Sequence, residues 1–262
     1  MHKTQSVDYG IMLEGERLLV LDDSETLLDP GDVVVQVGAW HLWDSARVGC
    51  LMAFDMICAE FVDGADGVDQ TATGSAVDLP TDSSQQAGQP QRRVVTIDRE
   101  PGRSSLVADG PSIDVRLDPA RPGYELHRMW VTDSAPARIA SESLHLPFVL
   151  EPPANGSVFN VLRIPPDASW LDSVGSDDVQ QWYESIGSSA STSGPDSPHP
   201  YMQRTRTVDF CFLLEGELDL VLDTETVRLG QGDVVIQRGT NHAWSNKSAR
   251  PARVAVISHD AK

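Results

Sequence analysis

The sequence predicts an all-β protein, and three observations predict it. Short apolar runs recur along most of the chain, broken by Gly, Pro, Asp and Ser, which is the spacing of strands and turns. Only one stretch, 172–186, carries a helical pattern. The opening text, MHKTQSVDYGIMLEGERLLVLDDSETLLDPGDVVVQVGAWHLW, returns at 202–244 as MQRTRTVDFCFLLEGELDLVLDTETVRLGQGDVVIQRGTNHAW. With no gap, position n matches n+201, and 21 of the first 43 positions are identical. That is an internal duplication of a strand-rich unit.

Taken in order, residues 6–22 run apolar around Gly15-Glu16, the pattern of two antiparallel strands joined at a tight turn. Leu27-Leu28 and then Pro30-Gly31 mark another turn, 33–36 a third strand and 50–62 a fourth. From 63 to 91 large apolar residues almost vanish among Gly, Ser, Thr, Gln and Asp, so the stretch cannot offset its own ordering entropy and reads as a flexible linker. Strand-like runs return at 94–98, 105–109, 113–117 and 124–133, and 135–146 reads as a loop. FVLEPP (148–153) and SVFNVLRIPP (157–166) are strands stopped by proline, and 188–200 is a loop leading into the second copy.

Composition narrows the function. Against 20 basic residues stand 39 acidic ones, a net charge of −19, which repels nucleic acid and anionic lipid, so neither is expected as a partner. The acidic residues are scattered, the pattern of a solvated surface. Three cysteines, Cys50, Cys58 and Cys211, have no paired spacing, which argues against a disulfide framework or a thiolate zinc site. No basic segment followed by an apolar run opens the chain and no apolar run is long enough to span a bilayer, so a cytoplasmic location is expected.

The run GDVVxQxGxxH, Gly31–His41 and again Gly232–His242, follows a strand–Gly-Glu–strand unit and resembles the second motif of the cupin superfamily. YELHRMWVTDSAPA and VFNVLRIPPDASW resemble the N-terminal half of small cupin-domain proteins. The resemblance implies cupin jelly-roll barrels: a complete one over 92–262 and a partial or permuted one over 1–62, bicupin-like, with 63–91 between them. The first unit lacks a preceding half and must pair its edges with 92–150, with the other barrel or with a second chain. A homodimer is the default that the resemblance implies.

Cupins usually hold a divalent metal by two histidines and a glutamate near one strand and a third histidine later. In the second copy that first motif falls on Gln203-Arg204-Thr205, with Asp209 at the glutamate position, and only His242 stays a histidine. The first copy has His2, Thr4, Asp8 and His41, and its use of His2 needs the N-terminus to be paired into a sheet. Asn246 stands at the family's closing Asn, where the first copy has Ser45.

Strand parity puts Gln203, Thr205 and Asp209 on one face, and His2, Thr4 and Asp8 on another. His2, Asp8 and His41 make a 2-His-1-carboxylate set suited to iron, manganese, nickel or zinc; the other reading leaves His2 unplaced and His41 bonded to a backbone carbonyl. Gln203, Thr205, Asp209 and His242 make a poor metal set, and without metal the chemistry left is proton transfer, with His242 as base and Asp209 orienting it. A purely structural Asp–His pair stands beside that reading. Trp43, Trp244 and Asn246 are candidate substrate contacts, and the reading of each tryptophan as a core filler of the barrel stands ahead of that one. His127 and His199 are expected at the surface.

Two functions follow. One is an enzyme acting on a small aromatic or polyketide-derived molecule by isomerisation, dehydration, decarboxylation or metal-dependent oxygenation. The other is a non-catalytic small-molecule-binding or regulatory protein.

Overall fold

The structure is a computed structural model and describes residues 1–45, 49–61, 90–100 and 102–261. The linker expected over 63–91 lies outside the described residues, apart from Pro90 and Gln91. In chain order the strands are β1 (Ser6–Glu14), β2 (Arg17–Val20), β3 (Glu25–Leu28), β4 (Val33–Val37), β5 (Leu42–Ser45), β6 (Leu51–Glu60), β7 (Arg92–Glu100), β8 (Arg103–Pro111), β9 (Val115–Leu117), β10 (Glu125–Thr132), β11 (Ala137–Arg138) and β12 (Ser157–Ile164). Helix α1 (Ser176–Ser185) follows, and then the second copy: β13 (Thr207–Glu215), β14 (Glu217–Leu222), β15 (Thr226–Gly230), β16 (Val234–Arg238), β17 (His242–Ser245) and β18 (Ala252–Asp260). No described helix is long and apolar enough to cross a membrane.

Each copy feeds two sheets. One six-stranded sheet has the order β11-β6-β1-β4-β7-β8, the other β16-β13-β18-β12-β10-β9. The three-stranded sheets are β3-β2-β5 and β15-β14-β17. β1 and β2 therefore lie in different sheets, and the hairpin expected around Gly15-Glu16 is a crossover between them. Gly15 takes φ 72° and Gly216 takes φ 84° at these corners, and a Cβ on Gly15 would fall 2.1 Å from the Gly49 carbonyl oxygen. Glycine at both corners is a steric requirement.

Alternation along the long strands builds two kinds of core. Val7, Tyr9 and Ile11 of β1, with Val33, Val35 and Val37 of β4, face the other large sheet and pack against Trp130, Phe159 and Ile257. Tyr9 stacks on Phe159 with ring centroids 5.1 Å apart, and its hydroxyl is 2.9 Å from Ser157 Oγ. The opposite parity, Met12 and Val34, closes the first barrel on Leu19, Leu21 and Leu28. Cys211 and Leu213 do the same in the second, against Leu218 and Leu220. β7 and β8 extend the sheet of the first copy, with β7 running parallel to β4.

Three expectations change. Residues 148–153 form no strand; Phe148 and Leu150 instead pack against the second barrel's core as side chains of a loop. His127 is buried rather than solvent-facing, because both faces of β10 are covered, and its Nε2 is 2.8 Å from Glu125 Oε2. His199 is buried as well, beside Trp170 at 5.8 Å between centroids. Helix α1 starts where Asp178 Oδ2 accepts from the Gly175 N–H at 2.8 Å, and it buries Val179, Trp182 and Tyr183, three of its positions at helical spacing.

Candidate functional site

In the second copy, β13, β16 and β17 with β10, β12 and β18 enclose a cavity of about 40 Å³. Gln203, Thr205, Asp209 and His242 all line it, as does Trp244. Gln203 is tied to the first residue of β17: its N–H donates to the His242 carbonyl at 2.8 Å, and the His242 N–H returns to the Gln203 carbonyl at 2.9 Å. This pairing faces the two side chains at each other.

The tautomer of His242 follows from its partners. Nδ1 lies 2.8 Å from the Thr240 carbonyl oxygen, which can only accept, so Nδ1 carries the proton and Nε2 keeps its lone pair. The Gln203 side-chain amide N–H donates to Nε2 at 3.3 Å. Gln203 Oε1 lies in turn 3.2 Å from the Tyr183 hydroxyl, whose one proton it shares with the Tyr201 carbonyl, also at 3.2 Å. Burial lowers the His242 pKa against the opposing effect of the Thr240 carbonyl, so the ring is neutral at pH 7. Asp209 does not orient the ring; the Thr240 carbonyl does.

Asp209 has the opposite problem. Burial raises its pKa, against the hydroxyls of Ser258 and Thr207, which favour the carboxylate. Its Oδ1 has no hydrogen-bond partner. Directly across the strand pair sits Gln237, whose Oε1 and Nε2 are both unpartnered, and Asn160 Oδ1 is unpartnered too. Buried polar atoms are normally satisfied, so four orphans around one cavity mark a place built for a polar guest. The first copy repeats the pattern, with Asp8 opposite Gln36 and the Asp8 Oδ1 and Gln36 amide atoms unpartnered.

The other expected residues sit as follows. His2 pairs its backbone with His41, N–H to carbonyl at 2.8 and 2.9 Å, and their rings lie 4.2 Å apart. His41 Nδ1 is 2.9 Å from the Ala39 carbonyl oxygen, and burial lowers its pKa; burial raises that of Asp8, which accepts from Thr4 at 3.3 Å. Trp43 packs on Phe54, centroids 5.5 Å apart, at the rim of the first barrel's core. Asn246 does not line this cavity. Its amide donates to the carbonyls of Ile164 and Arg250 at 3.0 and 2.8 Å and accepts from Ser248, so it clamps a loop.

Residues 191–258, which carry this cavity's β13, β16, β17 and β18, match the family model Cupin_2, described as a cupin domain. That segment is similar to the cupin domain family. Over 63 residues the chain is 46% identical to phomopsin biosynthesis cluster protein C' of Diaporthe leptostromiformis, covering 23% of this chain and 33% of that protein. It is 37% identical over 73 residues to the cupin-domain-containing oxidoreductase srdD of Neurospora crassa, covering 26% and 37%. The chain thus spans about a third of the length of these curated relatives. Among solved structures, the putative glyoxylate induced protein of Pseudomonas aeruginosa superposes with a TM-score of 0.49 at 10% identity, covering 98% of this chain and 67% of that one.

The second barrel's donor set does not fit the divalent metal that cupins often hold. It offers one imidazole, a hydroxyl, an amide and a carboxylate, and the imidazole's one lone pair is met by an amide N–H. In the first barrel His2 and His41 adjoin, yet among the described residues no group of three or more His, Cys, Asp and Glu gathers in a metal-holding arrangement.

Sequence reasoning misses Gln237, Asn160 and Tyr183. Gln237 leaves a signal, since it repeats Gln36 inside the GDVVxQxG run. Tyr183 and Asn160 leave none, because they arrive from α1 and β12, outside the repeat.

Proposed function

We propose that the C-terminal barrel is the active site of a small-molecule enzyme of secondary metabolism that works by proton transfer, as an isomerase or dehydratase on a small aromatic or polyketide-derived compound. The observation that carries this reading is the single cavity holding a neutral histidine with its Nε2 lone pair turned inward and a carboxyl whose Oδ1 has no partner. The printed names of the relatives, biosynthesis cluster proteins and cupin-domain oxidoreductases, support a place in metabolite biosynthesis.

His242 Nε2 takes a proton from an acidic carbon next to a carbonyl, displacing the Gln203 amide from the lone pair. The electron pair moves through the conjugated system, and the far carbon takes the proton of Asp209, whose raised pKa favours the acid form. In a dehydration the same proton goes to the departing hydroxyl, which leaves as water. Return of the His242 proton to the Asp209 carboxylate resets the site, so each cycle balances. Thr205 and Gln237 supply hydrogen bonds to the carbonyl oxygen.

The test is solvent deuterium incorporation. Aryl-substituted β,γ-unsaturated and β-hydroxy carbonyl compounds are incubated with the protein in heavy water and followed by mass spectrometry. The wild type exchanges or converts a member of the set, and His242→Ala slows it about 100-fold or more without lowering the melting temperature. Turnover that survives in His242→Ala, or that a chelator abolishes, contradicts the proposal. A protein that binds such compounds and converts none is the regulatory alternative.

A further inference from the structure

Next to the Asp209–His242 cavity lies a second one, of about 50 Å³, and its chemistry is different. Its walls are the aromatic residues Tyr124, Trp182, Tyr183 and Tyr201, together with a cation, Arg121. Gln203 and Trp244 line both cavities, so the two adjoin.

Arg121 is buried and fixed. Its Nε–H donates to Asp118 Oδ2 at 2.6 Å, and its guanidinium carbon lies 3.7 Å from the ring centre of Tyr124 and 3.6 Å from that of Tyr201. Asp118 is held in its turn by the Tyr201 hydroxyl at 2.9 Å and the Ala120 N–H at 3.0 Å. A guanidinium has five N–H donors in a planar fork, and Asp118 engages it at Nε; the fork's fit to a planar two-oxygen acceptor is what singles out arginine for carboxylates. Burial raises the pKa of Tyr183, which keeps its hydroxyl a donor at the boundary with Gln203. In a chain of net charge −19, a cation locked by aromatic stacking and set in a cavity wall is contrary to the general field. Local geometry, not the overall charge, decides what this cavity accepts.

We propose that this cavity is a carboxylate subsite: Arg121 holds the carboxylate of a small organic acid whose body passes Gln203 and Trp244 to reach Asp209 and His242. The substrate is then a carboxylic acid with its reacting carbon a short way from the acid group. The size of the cavity suits the acid end of a molecule and not the whole of it. The inference rests on the C-terminal barrel being the working site, but a binding measurement tests it separately from turnover.

The experiment titrates the full chain with isobutyrate and with its neutral isostere isobutyramide, following the indole N–H signals of Trp182 and Trp244 by NMR. Isobutyrate is expected to shift both signals saturably and to bind about tenfold tighter than the amide, or better. Equal affinities, or no saturable shift with isobutyrate, overturn the proposal whatever any variant does. Arg121→Met combined with Asp118→Asn, which leaves no unpaired buried carboxylate behind, is expected to erase the preference in a protein that still melts cooperatively; a preference kept there overturns the proposal. Equal binding of isobutyrate and isobutyramide by the wild type counts only against the subsite, whereas unchanged turnover in His242→Ala counts only against the proton-transfer reading.

Discussion

At the scale of single residues, two buried histidines separate function from structure. His199 accepts the Tyr201 N–H at Nδ1 at 3.2 Å, and burial pulls its pKa down to about 4. Protonation would aim a hydrogen at that N–H, so the folded state holds the neutral ring. The folded pKa lies below the unfolded value of about 6.5, so the unfolded chain binds the proton first as pH falls. Stability is therefore full above about pH 6.5 and declines between there and pH 4, by roughly 2–3 kcal/mol for a shift of this size. Urea unfolding at a series of pH values checks this, and His199→Asn, which keeps an acceptor but cannot charge, is expected to flatten the slope. His242 differs because its Nε2, met by the Gln203 amide, belongs to the wall of a cavity. The duplication and strand parity make His242, Asp209, Gln203 and Thr205 legible in the amino-acid sequence itself. Gln237 is marked there only as the repeat of Gln36; its importance lies in being buried and unpartnered, which depends on the strands around it. His127 and His199 are misplaced for a related reason. Sequence gives the face of a strand or the polarity of a loop, but not what covers it.

At the scale of elements, β4 and β16 are the same stretch of the repeat in different surroundings. Val35 and Ile236 occupy matching positions, yet Val35 is 0% exposed and Ile236 60%. β4 is flanked by β1 and β7, whereas β16 has β13 on one side and forms the edge of its sheet. Val35→Ala is expected to cost about 1–3 kcal/mol, from lost burial plus the cavity it leaves, while Ile236→Ala stays within roughly 0.5 kcal/mol of wild type. Chemical denaturation of the two variants measures the contrast. Equal costs would mean that the two large sheets do not sit as described. The strands of each copy can be read from apolar alternation and Gly–Pro punctuation. Which neighbour each strand acquires cannot, because a repeat says nothing about the strands outside it. The Gly15 crossover reads as a hairpin for the same reason: a tight turn at glycine looks alike whether the chain returns to its own sheet or leaves for the next.

At the scale of the molecule, the two large sheets share one apolar interface. Tyr9 with the valines of β4 packs against Trp130, Phe159 and Ile257. Residues 112–262 expressed alone would leave those aromatic and aliphatic side chains open to water, a patch of the kind that marks an unpaired interface. That fragment is expected to bind a hydrophobic dye more strongly than the whole chain and to form larger assemblies than it; a fragment with no added dye signal and no added assembly would show that the second barrel needs no partner sheet. The sequence requires the first copy to pair its edges with something, and the sheet order shows β7 and β8 beside β4. Sequence alone does not choose among the candidates, since each offers strands of the right character.

The proton-transfer reading needs one state of His242: neutral, protonated at Nδ1, with Nε2 presented to the cavity and restrained by Gln203. Nitrogen NMR of the full chain, with histidines labelled and His242→Ala used for assignment, measures it directly. The Nδ1–H tautomer is expected at pH 7 with a His242 pKa below the ordinary 6.5, and Gln203→Glu, which sets a carboxylate beside Nε2, is expected to raise that pKa by roughly 1–2 units. A His242 that carries its proton on Nε2, or that titrates above 6.5 in the wild type, would contradict it.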